Sequence, residues 1–341
     1  MAEVNGISDF LNQAGTQFKI FDMGRRIEEI KQADFLHFEQ GEMPYPLPLQ
    51  QQAWLGFLVW TEDKRSELVI WFLRFPLDAA GKLTKGIRDD FVLRLINKDG
   101  TEAPQQDETN PYGFKPKQEH LASFHAKAAK QLGQPASSYY EHAKDYFAGK
   151  PGYDQWAFVG FQGIADLACR LDEENNSALI ANAIENIPAP PFEALAQCLE
   201  HENIDTQLTR AIVTRINHEF EKNEIDANFI SLCIRALSNT QDQTQLELTL
   251  NKILAAEIGT HPEVLASISG RSWLALKNET TVNLFLEALA NCSEGQAFFN
   301  LVIVDLINIP GMQESILNAV KSPGRSEKLS LAIGELFKTF T

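Results

Sequence analysis

The sequence is poor in positive charge. Thirty Lys and Arg stand against 46 Asp and Glu, a formal net charge of −16. That argues against a chain whose main partner is a phosphate backbone, so no nucleic-acid partner is expected. Long apolar runs are also missing. The longest, Ala53–Trp60 and Leu301–Val304, fall far short of the roughly 18–20 residues that a membrane span needs. The opening Met1-Ala2-Glu3-Val4-Asn5-Gly6-Ile7 has no basic stretch leading into an apolar one, so no secretory signal is expected. Cysteine is scarce. Cys169, Cys198, Cys233 and Cys292 are widely spread without a CxxC pair, each inside an apolar helical pattern such as Ile230/Cys233/Ile234/Leu237. They read as buried thiols packing as small hydrophobes. A soluble cytoplasmic protein is the expectation, and the sequons at Asn175 and Asn278 then carry no glycan.

Catalytic signatures are missing too. There is no GxxxxGK[ST], no GxSxG and no SxxK, so neither a phosphate-cradling loop nor an activated serine is in view. Gly160-Phe161-Gln162-Gly163 lies in a helical pattern and reads as a close helix-packing point. Asp89-Asp90 and Glu173-Glu174 are sequence neighbours, which point about 100° apart on a helix and do not converge as glycosidase acids do. His120 and His125 are five apart, off the i, i+4 spacing of zinc-binding histidines. A His120/His142/Asp145 set is conceivable across a helix pair, but solvated polar faces are the simpler reading. No metal and no cofactor is expected.

Two features come closer to a binding site. In Asp22-Met23-Gly24-Arg25-Arg26, backbone amides at a helix start and two guanidiniums could hold an anion; the plainer reading pairs these arginines with nearby carboxylates. The aromatic group Trp54, Phe57, Trp60, Trp71, Phe72 and Phe75 suits base stacking, yet only Lys64, Arg65 and Arg74 lie close in sequence, too few for a cationic groove. Core packing is the better account. Pro44–Pro48 reads as an extended lead-in to a strand rather than a ligand motif.

What is present is architectural. The length suggests about two domains. Phe18–Phe21 is a short strand candidate, and Ile27, Ile30, Phe35 and Phe38 suggest an amphipathic helix. Ala53–Thr61 and Glu67–Phe75 read as strands joined by a five-residue loop, which sets Thr61 opposite Glu67, Phe57 opposite Trp71 and Trp54 opposite Arg74. Both strands are apolar on both faces, so this hairpin should form the centre of a small covered sheet, with Trp60 and Trp71 buried. Gly86–Asn97 is a closing helix striped by Ile87, Phe91 and Leu95. Residues 1–98 thus form a small α+β domain. Asp99–Lys117, polar and aperiodic with three prolines, reads as a linker.

Residues 118–341 read as an all-α domain. Helices are expected near 118–132, 138–148, 154–171, 177–187, 191–201, 205–222, 227–238, 242–255, 262–270, 279–291, 294–309, 312–320 and 326–339. Ser138/Glu141, Thr240/Gln243 and Ser293/Gln296 have capping-box spacing. Gly149, Gly270 and Gly311 suit helix stops. Helix pairs recur at roughly 35–40 residues, the spacing of stacked antiparallel helices in a HEAT-like α-solenoid, with an irregular helical bundle as the alternative. Residues 151–341 hold 25 acidic and 12 basic side chains, a net −13 of the whole −16.

Trp71-Phe72-Leu73-Arg74-Phe75-Pro76-Leu77-Asp78 with Gly81, and Gly152-Tyr153 through Gln162-Gly163-Ile164-Ala165-Asp166, carry a likeness over nearly the whole chain. It resembles an uncharacterised family of gammaproteobacterial proteins of about this length, a domain of unknown function. The resemblance implies a bacterial cytoplasmic protein and assigns no catalytic residue. The expectation is therefore a protein-interaction or adaptor protein without catalytic chemistry, its acidic helical surface meeting a basic or amphipathic protein partner. The alternative is an enzyme or ligand-binding protein with a site at the domain junction, for which Arg25, Arg26, Arg74, His120 and His142 are the candidates. Oligomeric state is not legible.

Overall fold

The computed structural model describes residues 4–61, 68–97 and 110–338. The chain divides into two units, residues 1–120 with 308–310, and residues 121–307 with 311–341.

The first unit runs α1 (Ile7–Gln13), β1 (Thr16–Asp22), β2 (Glu28–Ile30), α2 (Gln32–Glu39), β3 (Gln52–Thr61), β4 (Val69–Pro76) and α3 (Lys85–Asn97). Its strands make an antiparallel sheet in the order β2-β1-β3-β4. Phe57 stands opposite Trp71 and Trp54 opposite Arg74, as the hairpin arithmetic requires. The loop and the Thr61–Glu67 pair lie outside the described residues. β3 is interior, but β4 takes an edge rather than the centre. That edge is occupied: Arg74 donates its N–H to Tyr112 O (2.7 Å), and Phe114 donates to Phe72 O (3.1 Å). Part of the expected linker is thus tied to the sheet, because an edge strand needs partners for its backbone groups. Residues 99–109 lie outside the described part.

The helix expected over residues 27–38 is shorter at its start. Ile30 pairs with Ile20 in the strand ladder, and α2 begins only at Gln32. α1, which no stripe announced, has Gly6 at its N-cap, where no side chain can cap it. The buried Glu39 carboxylate does so instead, accepting from the amides of Ile7 and Ser8. The core lies on the sheet face shared by Phe35, Phe57, Trp71, Phe75 and Phe91. Trp71 is 3% exposed. Trp60 is only half-buried, because it sits opposite Gln17 at the frayed end of the β1–β3 ladder.

The second unit is helical: α4 (Gln118–Gln131, whose first turn precedes the division), α5 (Tyr140–Phe147), α6 (Phe161–Cys169), α7 (Asn176–Ile184), α8 (Ala189–Leu199) and α9 (Thr206–Phe220). It continues with α10 (Ala227–Leu237), α11 (Gln243–Leu254), α12 (Pro262–Arg271), α13 (Glu279–Asn291), α14 (Gly295–Ile307), α15 (Gln313–Val320) and α16 (Glu327–Lys338). The single helix expected over 154–171 is broken into a 3₁₀ turn, Tyr153–Phe158, and α6, with Val159 and Gly160 extended between them. Gly163 is where α6 closes on α5: a Cβ there would meet Tyr139 O at 2.5 Å. Capping differs in detail from expectation. Asp242, not Thr240, caps α11 by accepting from Gln245 N–H, and Ser138 does not cap α5. Gly270 lies inside α12, while Gly149 and Gly311 do take the left-handed conformation of a stop (φ 74° and 80°).

Packing links alternate helices. α6 packs on α8, α8 on α10 and α10 on α12, while α5 packs on α7, α7 on α9, α11 on α13 and α13 on α15. Side-chain bonds to backbone carbonyls tie these layers at a recurring interval. Gln162 Nε2 donates to Ala122 O, Ser238 Oγ to Glu200 O, Ser272 Oγ to Ile234 O and Ser315 Oγ to Leu276 O, at separations of 40, 38, 38 and 39 residues. No helix among the described residues is long and apolar enough to cross a membrane.

Candidate functional site

In the first unit the residues 22–26 do bring charge together, but around their own carboxylate. Asp22 is fully buried and its Oδ2 accepts from the amides of Gly24 (3.2 Å), Arg25 (2.9 Å) and Arg26 (3.0 Å). Its Oδ1 accepts from Tyr45 OH at 2.7 Å. The amides that a foreign anion would need are thus taken by an internal one, and a strand rather than a helix follows them. Arg25 is wholly buried, with Nε donating to Pro48 O at 2.6 Å. Burial raises the Asp22 pKa to about 6 against the lowering effect of these hydrogen bonds.

Arg74 lies on the other sheet face, stacked over the Trp54 ring at 5.2 Å, with Phe114 edge-on to Trp54. His120 occupies the first turn of α4 and is half-buried; His142 is exposed on α5. Asp145, the third member of the conceivable metal set, pairs with Lys150 at 2.6 Å.

The densest polar chemistry centres on Glu200, His201 and Glu202, three residues that the candidate set did not name. It lies in the second unit, where several helices end. Glu200, His201 and Glu202 follow α8 directly. Glu200 is fully buried, and its Oε2 meets Arg235 Nε of α10 at 2.5 Å and Arg271 Nε of α12 at 3.2 Å. Its Oε1 lies 3.5 Å from His201 Nε2. From α4, Lys127 donates to His201 O (2.6 Å) and lies 3.4 Å from Glu202. Lys130 donates to Cys169 O at the end of α6 (3.0 Å) and pairs with Asp172. Arg170, the residue after α6, pairs with Asp166 at 3.1 Å.

The placement has a physical cause. The last carbonyls of a helix lack partners within it and carry partial negative charge, so Lys and Arg are favoured there. Glu200 is tolerated at such an end because two guanidiniums face it. The same pairing leaves its carboxylate little charge to offer a metal cation. Burial raises the Glu202 pKa to about 7, with Lys127 opposing the shift. It also raises the Cys169 thiol to about 12 and drives Cys198 and Cys233 up further, so these thiols are poor nucleophiles at neutral pH. All four cysteines are free and buried. One sequence signal could have found this cluster: three ionisable residues in a row, Glu200-His201-Glu202, at the end of an apolar stripe.

Fold and polar cluster together define a class: a small antiparallel sheet unit followed by layered helices whose ends are joined by buried ion pairs. The chain belongs to the family described as "Protein of unknown function (DUF3549)", which matches residues 2–337. No curated protein and no solved structure matches it.

Proposed function

We propose that this protein is a bacterial cytoplasmic adaptor whose second unit is a HEAT-like stack of helix pairs, offering an acidic face to a basic or amphipathic protein partner. Alternate-helix packing and the recurring side-chain bonds support the solenoid. The observation that carries the function is where the charge is left over. The buried Asp166 and Glu200 are opposed by Arg170, Arg235 and Arg271, so the net −13 of residues 151–341 is carried by the other side chains, most of the carboxylates among them exposed. Between α9 and α10 the exposed Glu224 and Asp226 border a cavity of about 510 Å³, which the buried Glu219, its partner Lys222 and His261 also line. A partner's Lys or Arg would be drawn there.

The test is affinity purification of the native chain beside a Glu221→Lys/Glu224→Lys variant, both residues being exposed, followed by kinetics on whatever protein recurs. A recurrent basic partner lost with the reversal supports the reading. A partner that binds both chains equally, or a small molecule retained with no recurrent protein, overturns it.

A further inference from the structure

A second cavity, of about 460 Å³, opens between the α4–α5 and α6–α7 connections. It lies wholly within the second unit and is independent of the adaptor reading. Arg170 belongs to its lining and is 4% exposed. The guanidinium is only partly used: Nη1 donates to Asp166, Nε lies 3.8 Å from Glu173, and Nη2 has no hydrogen-bond partner. A buried donor left open is uncommon and calls for an acceptor. Beside it, Tyr140 is 8% exposed and its hydroxyl accepts from Asn176 Nδ2 at 2.9 Å. The phenolic proton therefore remains available to donate. Asn176 in turn donates to Arg170 O at 2.8 Å, which holds the two donor-bearing residues together.

The lining has an opposite sign elsewhere. Glu141, Glu173 and Glu174 line the same cavity and are exposed; Glu174 pairs with Lys144, while the Glu173 side chain is 44% exposed beside Arg170. Glu174 and Asn175 both hold positive φ, 49° and 61°, a costly pair of left-handed residues that shapes the connection.

We propose that this cavity binds a small zwitterion of the α-amino-acid type. Its carboxylate would sit on the Tyr140 hydroxyl and, with a small shift that uncovers the solvent-shielded Nη2, on Arg170, and its ammonium on Glu173 and Glu141. Adjacent cationic and carboxylate groups on the protein match the adjacent opposite charges of such a ligand. Lys130 also lines the cavity but is taken up by Asp172 and Cys169 O, so a phosphate dianion would meet three carboxylates against two already paired cations, and a bare metal cation would meet both.

Calorimetric titration of the full chain with the common L-α-amino acids and simple dipeptides tests this, at ligand concentrations up to about 10 mM to reach millimolar affinities. At least one free amino acid or dipeptide should bind saturably. Its N-acetyl and amide derivatives should bind about tenfold weaker or worse, each having lost one charge-assisted contact. Glu173→Gln, a change at an exposed side chain, should cost as much as N-acetylation while leaving the melting of the free protein unchanged. Tyr140→Phe should weaken carboxylate binding and leave the preference for a free amine intact. No binding by any member, equal binding of the capped derivatives, or tighter binding of inorganic phosphate would overturn the proposal.

Discussion

Asp22 and Trp71 show how single residues hold the first unit. Asp22 titrates at about 6 in the fold against 3.8 in an unfolded chain. Between those values the native state holds a proton that the unfolded state has released, so stability falls as pH rises through this window. The contribution is fully present below 3.8 and gone above about 6, and a shift of about two units corresponds to roughly 3 kcal/mol. Asp22→Asn keeps an acceptor for the three amides and removes the titration. Urea unfolding at pH 4.5 and 7, read by hydrogen exchange in β1 and β3, should show a steeper loss of stability in the native chain than in the variant, where the buried Glu39 still contributes; equal slopes would mean that Asp22 does not titrate in this window. Trp71 acts by area alone. Replacing it with Ala should cost about 3–5 kcal/mol, and a loss below about 1 kcal/mol would contradict its burial.

Between elements, two contacts decide how helices seat. Glu200 joins the ends of α8, α10 and α12 through Arg235 and Arg271. Its removal leaves two guanidiniums facing one another without a counter-charge, which for buried pairs costs about 3–5 kcal/mol. The Arg235 side chain is 27% exposed, so water relieves part of this and the low end applies. A double-mutant cycle of Glu200→Gln with Arg235→Gln should then give a coupling near 1 kcal/mol or more. Additive losses would show that the pair is incidental. Gly163 is the steric counterpart. Alanine there collides with the Tyr139 carbonyl, and separating α5 from α6 should cost about 1–3 kcal/mol, seen as an earlier thermal transition. An unchanged midpoint would disprove the close approach.

Over the whole molecule the surplus of negative charge makes its own forecast. Raising salt from about 50 to 500 mM shortens the screening length from roughly 14 to 4 Å. Association with a basic partner should weaken through a slower on-rate, while nucleic acid should bind at neither salt. If the affinity of a recovered partner ignores salt, the acidity serves solubility alone.

Much of this architecture was legible in the chain because it is written in local periodicity. Phe192/Leu195/Ala196/Leu199 bury one side of α8 whatever lies opposite, whereas β4, which reads as apolar on both faces, fully buries only the side of Trp71, Leu73 and Phe75. The hairpin register followed from loop length alone, since opposed residues are counted outward from a turn. Three-dimensional packing decided the rest. Ile27 and Ile30 have a helical spacing, three apart, and the waiting edge of β1 overrides it by pairing with Glu28–Ile30. Residues 112–114 read as linker because pairing to an edge strand needs backbone groups and no particular side chains. Arg170, Asn176, Glu200 and Arg235 carry no motif. Their charges meet only because stacking aligns the ends of helices far apart in sequence, and a carboxylate's partners in space leave no trace in its neighbours along the chain.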